Sequence, residues 1–132
     1  MMPTAIRKLG PVFAILGLLM VSACSSNPRP DAADWLPSWD ALVATVPAES
    51  SIGSPPDGAL CESTLGALRV NIESVTPGPS PTVDDLVAEW ISIAEAAFFE
   101  CPPQGEPGSF AAAYDELARI ENSVDAALQE TS

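Results

Sequence analysis

The sequence predicts an all-α protein: a small three-helix bundle stapled by one disulfide, with an extra short helix ahead of it and a cleaved signal peptide at its start. Apolar residues recur at steps of three and four over three long segments, the spacing of amphipathic helices. Pro- and Gly-rich breaks separate those segments. Two cysteines, Cys61 and Cys101, stand where an antiparallel helix pair would bring its open end together. No strand-like alternation, hairpin turn signal or internal repeat competes with this pattern.

Residues 1–23 form the first element. Arg7 and Lys8 precede an apolar stretch from Leu9 to Val21, which ends in the small residues Ser22 and Ala23. That is the three-part layout of a secretory signal. The stretch is interrupted by Gly10, Pro11 and Gly17 and falls short of the ~20 apolar residues a membrane-spanning helix needs. Val21, Ser22, Ala23 and Cys24 resemble the bacterial lipobox, in which an aliphatic residue, a small residue and Gly or Ala precede a cysteine. The resemblance covers the first 24 residues. It implies that Cys24 receives a diacylglyceryl thioether, becomes the first residue of the mature chain, and anchors it on the extracytoplasmic face of the cell membrane. Two acyl chains at ~0.8 kcal/mol per buried CH₂ hold a protein stably, whereas one chain binds marginally. The alternative is an ordinary signal peptide with an incidental cysteine, because Ser22-Ala23 is also a fitting end for a soluble protein's leader.

Residues 24–33 read as a tether, since Ser25 to Asp31 carries polar residues, Pro and Arg without apolar periodicity. A short helix follows over 34–46, where Trp35, Trp39, Leu42, Val43 and Val46 recur at helical intervals, with Pro37 in the first turn and Pro47 as the stop. Residues 47–56 are a linker rich in Ser, Pro and Gly that sets this helix apart from a bundle domain over 57–130.

Leu60, Cys61, Leu65, Leu68, Ile72 and Val75 mark the apolar face of the first bundle helix. Pro77, Gly78 and Pro79 break it; Ser80 then supplies an N-cap, Pro81 a first helical residue, and Asp84 and Asp85 suit the positive helix end. The second stripe runs through Val83, Leu86, Val87, Trp90, Ile91, Ala94, Ala97 and Phe98 until Pro102 and Pro103 end it. After a Gly/Pro loop, Ser109 caps a third helix with Phe110, Ala113, Tyr114, Leu117, Ile120, Val124 and Leu128 on one face. Asp115 and Arg119 there are four apart, the spacing of an exposed ion pair.

With Cys24 assigned to lipid, Cys61 and Cys101 have only each other, in a compartment that permits oxidation. In a hairpin centred near residue 78 or 79, Cys61 faces about residue 96. Cys101 lies one turn further, where the helix is ending. Closing that loop contributes ~4 kcal/mol in the chain-entropy model, a large fraction of a small domain's stability.

Composition excludes more than it assigns. All 18 acids lie beyond the leader, against Arg29, Arg69 and Arg119 as the remaining cations, a side-chain charge of −15. Such a surface opposes nucleic acid and anionic headgroups alike. Histidine is absent, which removes Ser-His-Asp and Cys-His constellations and imidazole ligands, and zinc finds too few ligands. No lysine follows Lys8, which removes Ser-Lys dyads and Schiff bases. Carboxylate pairs such as Glu95 and Glu100 are unremarkable among so many acids, and Asp84, Asp85 and Glu89 have a ready place on a helix start rather than in a calcium loop. No catalytic residue, metal or cofactor is therefore assigned.

Contact residues are the remaining candidates. Trp35 and Trp39 share a helical face that serves either packing or a partner-binding edge. Ile93 and Phe99 fall off the core stripe and, exposed together, would form a second patch. The expected function is a non-enzymatic, lipid-anchored interaction or accessory module whose partners are the membrane, through its anchor, and another envelope protein. The alternative is a binder of cations or small cationic ligands at the acidic surface. Beyond the lipobox, the body bearing Cys61 and Cys101 resembles uncharacterised small helical lipoproteins of actinobacteria, with Ala, Pro and Arg favoured over Lys. That resemblance implies a habitat and transfers no activity or site.

Overall fold

The computed structural model describes residues 28–53, 56–101 and 109–131. The segment read as a leader, the lipobox-like run with Cys24, and residues 102–108 lie outside the described residues. The described residues hold four α-helices: α1 (Ala32–Ala44), α2 (Gly58–Asn71), α3 (Pro81–Phe99) and α4 (Ser109–Thr131). Single 3₁₀ turns, Glu49–Ser51 and Ile72–Val75, follow α1 and α2, and no strand occurs among the described residues. The all-helical class is as expected; among the described residues the bundle has four helices rather than three, because α1, expected as an extra helix ahead of it, belongs to the core.

α1 begins two residues earlier than its apolar pattern suggests. Asp31 is extended (φ −69°, ψ 152°) and its carbonyl accepts from the Trp35 amide at 3.0 Å, which starts the helix at Ala32. Pro37 therefore sits inside the helix, not in its first turn. The carbonyl of Ala33 loses its intrahelical donor, but Ala33 and Pro37 are both exposed and water can replace it. A helix of 13 residues is marginal alone in water, so burial of its apolar face is what holds it. Trp35 and Trp39 are each 2% exposed and Leu42 is fully buried. The two indoles stack at 5.7 Å, Trp39 meets Trp90 edge-on at 5.4 Å, and Trp35 Nε1 donates to the Val75 carbonyl at 3.0 Å. Of the two readings of Trp35 and Trp39, packing is the one that holds and the partner edge is not: both indoles are enclosed by the bundle.

Asp57 caps α2 by accepting from the Ala59 amide at 3.0 Å, and Cys61, Thr64 and Leu68 point into the core. The Ile72–Val75 turn carries the core on to buried Val75. Ser80 caps α3 through its hydroxyl, which accepts from the Val83 amide at 3.2 Å, and Pro81 occupies the first turn, as the sequence predicts. Gly78 lies against that first turn. Its amide donates to Asp84 Oδ1 at 2.7 Å, and a Cβ there would stand 3.0 Å from both Asp84 Oδ1 and Val83 Cγ1, so any larger residue would press these two side chains outward.

Arg29 closes on the same place. Its Nη1 donates to the Gly78 carbonyl at 3.0 Å and to Asp84 Oδ2 at 2.7 Å. The segment read as a plain spacer is thus fastened to the α2–α3 turn at its distal part.

α3 contributes Val83, Val87, Trp90, Ala94, Ala97 and Phe98 to the core, and α4 contributes Leu117, Ile120, Val124 and Ala127. Ser109 is the first residue of α4 rather than its cap. Arg119 does not pair with Asp115; it binds Glu116 at 2.8 Å and Glu89 of α3 at 3.0 Å. Glu89 draws the guanidinium to the α3 side of the helix, a side that Glu116 shares.

Successive helices alternate in direction. Arg69 to Glu95 (3.4 Å) and Cys61 to Cys101 (Cα atoms 6.1 Å apart) set α2 against α3. Phe98 on Phe110 (5.6 Å) and Trp90 on Glu121 set α3 against α4. One end of the bundle holds the α2–α3 turn, Arg29 and the start of α1. The other holds the disulfide, the end of α1 and the start of α4. Among the described residues, no buried side-chain nitrogen or oxygen lacks a hydrogen-bond partner.

Candidate functional site

At the disulfide end, α1 stops as the Thr45 hydroxyl donates back to the Leu42 carbonyl at 2.7 Å, and Pro47 leads the chain into the Glu49–Ser51 turn. α4 passes alongside. Tyr114 reaches across 67 positions of sequence to donate its hydroxyl to the Pro47 carbonyl. Between the two segments lies an open groove of about 240 Å³. Val43, Val46, Pro47 and Ala48 line one side and Leu117 and Ala118 the other, while Glu49 and Glu121 supply two carboxylates and Tyr114 its phenol.

The groove is polar only at defined places. Glu121 Oε2 accepts from Trp90 Nε1 at 2.9 Å, which satisfies an indole otherwise sealed in the core. A carboxylate has about four acceptor sites, so this bond uses a fraction of its capacity. Burial, and then the nearby charge of Glu49, push the Tyr114 hydroxyl up to about 12, which keeps the phenol neutral and donating. The groove thus offers an apolar wall, an aromatic ring and two anionic groups, and no nucleophile paired with a base. Its volume is below the ~300–1,000 Å³ typical of drug-sized or cofactor sites. The arrangement suits binding of something small.

The residues singled out by sequence are dispersed. Trp35 and Trp39 are core residues at the other end of α1 or along it. Phe99 is 70% exposed, but Ile93 is half-buried against the core, so the two do not form a joint patch. Six residues apart on one helix, they point about 120° from each other. Cys61, 2% exposed, is bonded to Cys101 just past the end of α3. Cys24 lies outside the described residues. Glu95, Asp84 and Glu89 are each engaged by an arginine: Arg69, Arg29 and Arg119 in turn. Among the described residues, no three Cys, Asp or Glu side chains are grouped to hold a metal, and no helix is long and apolar enough to cross a membrane.

The groove residues carry no motif, and sequence reasoning passes over them. One signal was present: Tyr114 is the sole tyrosine and lies on a core stripe, so its hydroxyl required a partner. No protein-family model matches the chain, and no curated protein or solved structure matches it.

Proposed function

We propose that this chain is a lipid-anchored module of the cell envelope that works by binding another envelope protein, without catalysis of its own. The carrying observation is Cys24 at the end of a lipobox-like Val21-Ser22-Ala23 run, in a chain whose other two cysteines are joined to each other. Pairing of Cys61 with Cys101 leaves Cys24 as the third and last cysteine, and a disulfide suits an oxidising compartment. The absence of histidine and of lysine beyond Lys8 supports binding over chemistry.

Metabolic labelling with an alkyne fatty acid tests the anchor. The wild-type chain is expected to take up label and to lose its leader, and Cys24→Ser to do neither. A wild-type chain that is cleaved but carries no label would refute the lipoprotein reading and leave a soluble secreted protein. A second reading, a binder of small cationic ligands, is favoured by one observation: the apolar groove that includes Glu49 and Glu121.

A further inference from the structure

We infer that the groove between the end of α1 and α4 receives one arginine side chain of a partner protein. Its aliphatic stem lies against Val43, Val46 and Leu117, and its guanidinium meets Glu49 and Glu121. The inference rests on the reading that the domain works by binding, and gives that binding a place and a chemistry.

Size selects the occupant first. A groove of about 240 Å³ is small for a cofactor but matches a single inserted side chain, the form that anchors of protein interfaces take. Polarity selects next. Apolar walls with carboxylates beside them complement a side chain with a methylene stem and a cationic head. The cations among the described residues do not fill that role: Arg29, Arg69 and Arg119 pair with Asp84, with Glu95, and with Glu89 and Glu116, not with Glu49 or Glu121. The surrounding excess of acid also steers a basic partner inward.

Guanidinium fits better than ammonium. It is more weakly hydrated, carries five donors for two carboxylates, and stacks on aromatic rings such as that of Tyr114. Tyr114 is held by Pro47 and Glu121 by Trp90, so both sides of the groove are in place before a ligand arrives, and little ordering opposes binding.

The test is an amide chemical-shift titration of the isotope-labelled full-length protein in zwitterionic detergent micelles at physiological salt. The probes are N-acetyl-arginine methylamide and its neutral isostere, N-acetyl-citrulline methylamide. Expected are saturable shifts at Ala48, Glu49, Ala118 and Glu121 with the arginine probe, and none with citrulline at the same concentration. Glu49→Gln should weaken the response about three-fold, in the range of a partly exposed ion pair. Ala118→Leu, which fills the groove from an exposed position, should abolish it while the rest of the spectrum is unchanged. Shifts spread over the acids of all four helices, an equal response to citrulline, or unchanged binding by Ala118→Leu would each overturn the inference. Cys24→Ser should give the same titration, so failure of the anchor reading and failure of the groove are read separately.

Discussion

Replacing Trp39 by alanine tests whether α1 is an integral wall of the core or a helix resting beside a three-helix body. The side chain is 2% exposed and touches two other indoles, Trp35 at 5.7 Å and Trp90 at 5.4 Å. An aromatic side chain buries ~150–250 Å², which at ~25 cal/mol per Å² sets an upper bound of ~4–6 kcal/mol. Alanine retains its methyl, while the two aromatic contacts add ~0.5–1.5 kcal/mol each to the loss. Truncation of buried Trp or Phe ordinarily costs ~3–5 kcal/mol, so a loss of about 4 kcal/mol is expected. For a domain of this size that corresponds to a fall in Tm of roughly 15–30 °C.

Thermal unfolding followed by circular dichroism at 222 nm measures it, with Leu36→Ala as the control. Leu36 lies on the same helix but is 36% exposed, and its truncation should stay within about 0.5 kcal/mol of wild type. A loss below about 1 kcal/mol for Trp39→Ala, with cooperativity retained, would refute the reasoning: α2, α3 and α4 would then be stable without α1 docked.

Two further outcomes follow from the same structure. Cys61→Ala with Cys101→Ala should lower stability by ~4 kcal/mol in the chain-entropy model, and a reductant should reproduce the loss in the wild type; a reductant-insensitive unfolding curve would contradict it. Tyr114 should ionise near 12 in the folded protein and near its ordinary 10.0 in urea, which absorbance at 295 nm reads without interference because the chain has a single tyrosine. The unfolded phenol thus loses its proton first. Its contribution to stability is intact below pH 10, declines as pH rises from 10 to about 12, and vanishes in Tyr114→Phe. A folded-state midpoint at 10 would show that the phenol is not enclosed.

Local signals were legible wherever a residue acts on its own neighbours. Ser80 and Pro81 start α3 as their chemistry requires, and the apolar stripes of α2, α3 and α4 contain the residues those helices bury except Thr64 and Ala127, whose small side chains carry little apolar signal. The pairing of Cys61 with Cys101 follows from hairpin geometry, since both elements flank one short turn. What periodicity does not convey is which neighbour a face meets. The Trp35–Trp39 face is plain in the sequence, yet its destination depends on a connection through Pro47 to Gly58 that reads as a separator. The area of two indoles favours packing over a partner edge, because so much apolar surface on a short helix demands enclosure. Asp115 matched a spacing rule for Arg119, but a partner from α3 outweighed it. Tyr114 with Pro47, and Arg29 with Gly78, are contacts between a side chain and a distant backbone carbonyl. Such contacts leave no periodic trace, which is why the groove could not be found from the sequence.

The fastening of Arg29 to Gly78 and Asp84 turns a leash into a hinge point. Four residues lie between Cys24 and Arg29, five steps of chain with a reach of at most about 18 Å even when fully extended. On the proposal that Cys24 is acylated, the α2–α3 turn would be the foot of the molecule, within that reach of the bilayer. α1 rises from that foot for about 20 Å before the groove opens at its far end. Under that proposal the domain would be a short post rather than a float on a line, with the groove at the end away from the bilayer.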